Sequence, residues 1–422
     1  MQTVAILIFA LDPAFFLDST LFLPDAARAA VRAVDLRAPI IDCVEDDFLY
    51  VATDDYLYKI DRKQAAMIDR TPLPLRFNYL ALHRADVVLV SSNEIVVLDR
   101  DNLSFRSGIG IERGDHQPVV KDQSRIGNPG ARHLYLQSDE GSKTVLRVID
   151  IAQGTVVRRA AIERARQTIY DGVTKTLAVL DTKNDISVFD LTLKRRKRID
   201  LGIQARTFYP HRDGFSVVSD EGAFLVSRNG AMIDCQPMPL PLAQAGNISL
   251  TRSAIVSLDT VAFRPSTWIE NRYGICKLLS TGGSGREIVA DAEGRLYLID
   301  LDEHSVTPLE KQRWRPEQAA APPVSPDSLW YVQLGAFTEK ANAIHMHEEM
   351  RRNGVPVLLD STDLYRVRFG GFSDKITALD LVERMHLEGW LVHGRKMPGP
   401  RFESFIVDSE RYTIVDGVVR KE

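Results

Sequence analysis

The chain has 422 residues, 45% hydrophobic and 26% charged, with a formal net charge of -4. That length suits two or three domains, and so small a charge excludes a general field for nucleic acid or membrane surfaces. Cys43, Cys235 and Cys276 are far apart and form no CxxC, which excludes a disulfide framework; three buried free thiols are expected, one bridge in an exported protein being the alternative.

The first 35 residues read in two ways. Val4–Leu11 (VAILIFAL) is apolar, and Ala27-Arg28-Ala29 has the form of a signal-peptidase site. Against that, no Lys or Arg precedes the apolar run, and Asp12 and Asp18 interrupt it. Residues 1–35 are either an export signal or an extension packed on the first domain. No apolar run reaches the length of a membrane span.

From residue 36 to 312 one unit recurs: an apolar strand, a turn of Asp, Asn, Glu, Ser or Gly, and a second strand ending near Asp or Arg. The copies are FLYVATDDYLYKIDR, DVVLVSSNEIVVLDRD, HLYLQSDEGSKTVLRVID, TLAVLDTKNDISVFD, FSVVSDEGAFLVSRN, AIVSLDTVAFRP and EIVADAEGRLYLID. Their ends, Asp61, Asp99, Asp150, Asp190, Arg228, Arg264 and Asp300, are spaced by 38, 51, 40, 38, 36 and 36 residues. About 40 residues per unit is the size of a four-stranded propeller blade. A lone blade cannot bury both faces, whereas blades around an axis can. The expectation is a seven-bladed β-propeller, with six or eight blades as the alternatives because the sixth copy is the weakest. In architecture it resembles the WD-repeat and quinoprotein-like propellers, without regular Trp-Asp endings or a repeating tryptophan motif.

The propeller offers little catalytic chemistry. Lys194–Arg198 (KRRKR) is read as a solvated outer strand or loop of the fourth blade, the alternative being a dock for an anionic polymer or lipid. Ser280–Gly285 (STGGSG) lacks the Lys-Ser/Thr of a phosphate loop and reads as an inter-strand loop. His345 and His347 lie two apart on a predicted helix, face different ways, and are expected at the surface. No cofactor, metal ligand set or catalytic residue is expected.

Trp314–Ser328 (WRPEQAAAPPVSPDS) reads as a stiff Pro/Ala-rich linker and sets the domain boundary at residues 313–327. Beyond it the sequence repeats itself with a 35-residue offset. Gly335 falls on Gly370, Phe337 on Phe372, Lys340 on Lys375, Ala343 on Ala378, Met350 on Met385 and Gly354 on Gly389. Each half reads as strand, helix, strand. Thr338 and Ser373 are expected to cap the helices. Ala343, Ile344, His347 and Met350, then Ala378, Leu379, Val382 and Met385, form the apolar stripe. Gly354 and Gly389 are expected to stop the helices in a left-handed conformation.

Two such halves give βαββαβ, a ferredoxin- or RNP-like α+β sheet with both helices on one face. Period two sends Val332, Leu334, Ala336, Tyr365, Val367 and Phe369 to the helices. It sends Tyr331, Gln333, Gly335, Phe337, Arg366, Arg368 and Gly370 to the uncovered face. That face is predicted to be a shallow polar platform with Gln333, Arg366 and Arg368 bare at its centre.

YVQLGAF, the Ala-rich helix, the Gly354 stop, LYRVRFGGF and the Gly389 stop resemble the SPOR (sporulation-related repeat) domain over residues 328–397. The resemblance implies binding of bacterial peptidoglycan, preferably glycan strands stripped of stem peptides at division sites, through the open sheet face. Carried over by position, Gln333, Arg366 and Arg368 are the glycan-binding candidates, with Phe337, Leu364 and Phe372 as further ones. Phe337 and Phe372 have the alternative role of core plugs. Gln can donate and accept, and Arg can fork two bonds onto a carboxylate or acetamide oxygen.

Arg401–Glu422 alternates like another hairpin, expected to extend the small sheet, pack on the propeller or cover the platform. The functional expectation is a non-catalytic periplasmic or envelope protein, septal in the sharpest form, binding glycan through the small domain and envelope or divisome proteins through the propeller. A propeller-borne enzyme acting on wall polymer is the alternative. RNA binding is a third reading; arginines stand where the RNA-recognition motif wants third-strand aromatics, so no nucleic-acid partner is expected.

Overall fold

The computed structural model describes residues 15–17, 20–25, 30–61, 66–120, 133–236, 243–245, 248–250, 254–259, 264–281, 286–293, 295–313, 317–318, 328–361, 364–397 and 402–422. Contacts divide the chain into two compact units, Met1–Ile40 with Arg113–Arg315, and Ile41–Glu112 with Pro316–Glu422.

Among the described residues of the first unit there are six four-stranded sheets of propeller-blade type. Five are antiparallel meanders within residues 116–163, 165–200, 205–236, 243–270 and 275–308. The sixth is built from Phe15–Leu17, Thr20–Asp25 and Ala30–Asp35, and Glu310–Arg313 adds to it in parallel. Consecutive sheets share cores. Leu180, Ile186, Phe208, Phe215, Val217 and Phe224 form one cluster, and Leu250, Ile255, Ile269, Tyr297 and Ile299 another. Each such side chain contributes about 1.5–3 kcal/mol on burial.

The second unit holds two further sheets, Ile40–Pro72 and Tyr79–Gly110, the first extended in parallel by Glu317–Gln318. That makes eight blade-type sheets among the described residues, one more than the seven hairpins expected. The additional one lies in residues 15–35, ahead of the stretch in which the hairpin repeat is read. Six of the seven quoted hairpins are the middle strands of their sheets. AIVSLDTVAFRP is displaced by one strand, because Ala254–Asp259 and Arg264–Glu270 are the third and fourth strands of theirs.

The repeated polar residues close turns. Before the central turn, Thr53, Ser91, Asp181, Ser219 and Asp291 accept from backbone N–H groups of the turn. After the following strand, Asp99, Asp150, Asp190 and Asp300 do the same, and Ser227 serves in the Arg228 copy. The spacing of the repeat is thus the spacing of its turn caps. Arg195–Asp200 is an edge strand whose Arg195–Arg198 side chains are exposed, as the solvated reading of that run requires. Cys235 is an exposed free thiol and Cys43 is half-buried, correcting the expectation of burial; the Cys276 side chain lies outside what is described. So do Gly282–Gly285 and most of the Pro/Ala-rich stretch.

The rest of the second unit runs strand (Ser328–Phe337), helix (Lys340–Arg352), strand (Val357–Ser361), strand (Tyr365–Phe372), helix (Lys375–Arg384), strand (Trp390–Arg395). The sheet order is second, third, first, fourth, all neighbours antiparallel, which is the βαββαβ arrangement expected. The helix details differ from expectation. The N-cap positions are Glu339 and Asp374, one residue beyond Thr338 and Ser373, and only Asp374 caps through its side chain, accepting from Thr377 N at 2.7 Å. Gly354 is left-handed at φ +80°, but His386, at φ +51°, takes that role after the second helix. Gly389 serves by close approach, since a Cβ there would lie 2.8 Å from the Gln333 carbonyl oxygen. Ile344 is exposed, and Met346 packs on the core instead.

Phe402–Val407, Glu410–Val415 and Val418–Lys421 form a separate three-stranded sheet rather than a hairpin. Its Phe405, Val407, Tyr412, Ile414 and Val419 enter the same core as Val332, Phe369, Phe372, Ala378 and Leu381.

Candidate functional site

The two central strands of the small sheet set the site. Gln333 pairs with Arg368 across them, and Trp390 of the fourth strand pairs with Gln333 on its other side. Leu358 pairs with Arg368 and Asp360 with Arg366, so all six residues share the face away from the helices. A bulge between Gln333 and Gly335 breaks the period-two reading. Beyond it Gly335 turns to the first helix, where a Cβ would come 2.7 Å from Met346 Sδ, and exposed Ala336 pairs with Arg366. The expected inward Ala336 and outward Gly335 are therefore reversed.

The platform exists, but its centre is not bare. Gln333 is only 6% exposed. The Arg368 side chain, 17% exposed, is paired with Asp360 at 3.1 Å and reaches Gln333 Oε1 and Met397 Sδ at 3.5 Å each. Tyr331 is fully buried; its hydroxyl accepts from Met397 N at 2.8 Å and donates to the Arg395 carbonyl at 3.4 Å. Leu329, Tyr331, Leu358 and Val392 form an apolar cluster on this face, against which Phe105, Met397 and Val418 pack. The expectation of three polar side chains bare to solvent is corrected: neighbouring segments cover this half of the sheet and solvate Gln333 and Arg368 from within. Arg366 and Leu364 are half-buried at the uncovered end. Phe372 is fully buried, edge-on to Phe369 at 5.4 Å, and Phe337 packs half-buried on the same core. Phe372 is thus a core plug and not a surface contact.

Three contacts missed in the sequence tie the small domain to the two blade sheets of its own unit. Buried Lys375 Nζ bonds both Asp69 carboxylate oxygens, at 2.9 and 2.8 Å, and the Asn102 carbonyl at 2.6 Å. Burial lowers the Lys375 pKa and raises that of Asp69, each partly offset by the partner's charge. Glu383 accepts from Tyr56 Oη at 2.6 Å and pairs with Arg70 at 2.9 Å. Trp390 stacks on Phe105 with centroids 5.3 Å apart and meets Phe77 at 6.1 Å. Trp390 and Lys375 carried a signal as a large aromatic and an aligned lysine, but their partners lie about 270 to 310 residues away in sequence.

Two helices on one face, the order second–third–first–fourth, and the doubled Gly-x-Phe strand end decide the family of this module. Residues 326–392 match the SPOR domain. A SPOR domain implies peptidoglycan binding and a place in the cell envelope, in proteins of cell division. No curated protein matches the chain. Solved structures similar to it include BamB from Moraxella catarrhalis, at 15% identity and TM-score 0.36, covering 60% of this chain and 80% of that one. The Pan2 WD40 domain of Neurospora crassa is 10% identical at TM-score 0.40, covering 66% and 91%. Sqt1 of Saccharomyces cerevisiae is 11% identical at 0.46, covering 65% and 85%. No helix among the described residues is long and apolar enough to cross a membrane.

Proposed function

We propose that the chain is a non-catalytic envelope protein that binds peptidoglycan glycan strands, those stripped of stem peptides in particular, through the SPOR sheet face, while its blade-type sheets hold partner proteins. The observation that carries this reading is the SPOR match over residues 326–392 together with a sheet whose helices all lie on one side. Removing stem peptides lets a flat face approach the sugar backbone. Arg366 at the uncovered end is the first contact, able to fork onto lactyl carboxylate or acetamide oxygens. Gln333 and Arg368 complete the contact where the cover permits. Leu364 offers an apolar edge to the sugar rings.

The test is retention on amidase-treated sacculi. A hydrogen bond to a charged group is worth about 1.5–3 kcal/mol, so Arg366→Ala is expected to weaken retention roughly tenfold or more. Equal retention of wild type and the triple variant Gln333→Ala, Arg366→Ala, Arg368→Ala refutes the reading.

A further inference from the structure

The face that the glycan reading needs is partly occupied by the protein's own blade sheet. Trp390, which shares that face with Gln333, is packed on Phe105 and Phe77, and Phe105 also touches the cluster of Leu329, Tyr331, Leu358 and Val392. We propose that these contacts are an autoinhibitory dock: the SPOR domain alternates between a docked state, in which glycan meets only the Arg366 end, and a released state that bares Trp390 and the part of the face under Phe105, with Met397 and Val418 staying in place. This rests on the glycan-binding reading above.

The chemistry of the dock suits reversal. Its aromatic part is one indole against two phenyl rings, with Tyr56 also packed on the SPOR core. Its polar centre, Lys375 with Asp69, has both charges withdrawn from water, so desolvation consumes much of the attraction. Breaking it by removing one partner is costly, whereas separating it so that both ions are hydrated is not. The outer contact, Glu383 with Arg70 and Tyr56, is exposed at its rim and fixes orientation more than affinity. A ligand that binds only the released face shifts the balance by its differential affinity. Trp390 then supplies what the docked platform lacks, an aromatic plane against which a sugar ring can stack.

The test uses the full chain. Glu383 lies on the exposed side of its helix, so Glu383→Arg sets like charges against Arg70 without touching either core. Asp69→Ala is the independent second variant, and Arg70→Glu with Glu383→Arg restores the pair in reverse. Release is read by hydroxyl-radical labelling of Trp390 resolved by mass spectrometry, and binding by retention on amidase-treated sacculi. If roughly nine molecules in ten are docked, release raises apparent affinity about tenfold. Glu383→Arg and Asp69→Ala should each raise Trp390 labelling and retention together, and the reversed pair should return both to wild type. Unchanged labelling in both single variants overturns the dock. Increased labelling with no gain in retention, while wild type is retained, overturns its inhibitory role. Increased labelling with no form retained overturns the glycan reading, and the inhibitory role with it.

Discussion

Asp181 accepts from the N–H groups of Lys183 at 2.8 Å and Asp185 at 3.0 Å, and so closes a hairpin without help from glycine. Asp181→Ala leaves the buried Asp185 amide without that acceptor, at a cost of about 1–3 kcal/mol. Chemical denaturation should show the loss as a lower midpoint with an unchanged slope. Gly371 has the opposite problem, of space. It sits at φ +120°, and a Cβ there would collide with the Gly417 carbonyl oxygen. Gly371→Ala combines backbone strain of about 1–3 kcal/mol with displacement of the terminal sheet. The expected result is a lower melting temperature, while Gly394→Ala, with nothing near its Cβ, stays close to wild type.

The terminal sheet is bound to the SPOR core at the scale of the element. Phe405, Val407, Tyr412, Ile414 and Val419 each bury about 1.5–3 kcal/mol of apolar side chain. A chain ending at Met397 therefore loses the cooperative melting of the small domain, although the family match ends at residue 392. The polar clasp of this sheet is Glu410, which accepts from Lys421 at 2.5 Å and from Arg384 and Tyr412 at 2.8 Å. These donors lower the Glu410 pKa from 4.5 to about 2. Its contribution is complete above the ordinary carboxyl range and is lost as pH falls from about 4.5 towards 2. Tyr412 ring signals in NMR should hold steady from pH 7 to 5 and shift only below that, and Glu410→Gln should abolish the shift. The sequence told of strands, helices and their order here because apolar period and doubled motifs are local. It did not tell of the bulge after Gln333, which reverses Gly335 and Ala336, or of the Lys375–Asp69 pair. Register and long-range pairing are settled by partners that no local pattern names.

Across the molecule, the eighth sheet bears on how the chain begins. Leu21 and Leu23 are buried in it, and Ala33 packs on Ile288, Leu298 and Leu309. Cleavage after Ala29 would remove two of its strands. The expected finding is that the folded protein retains Phe15–Asp25, and that a chain starting at Ala30 melts earlier; N-terminal sequencing and calorimetry check the two halves of that statement. The hairpin repeat was visible in the sequence because its turn caps recur, whereas the first sheet lies ahead of that repeat and the sixth hairpin was displaced by one strand.

In five of the hairpins the residue that ties the central turn stands ahead of the tip, not in it. Asp54, Ser92, Lys183 and Glu221 are consequently spared from holding their hairpins together, and Thr53, Ser91, Asp181 and Ser219 do so for them. The fold thereby keeps an interchangeable position at each of these hairpin tips, where a new charge or ring can be tried without disturbing the sheet beneath. A binding specificity written there can be rewritten one letter at a time.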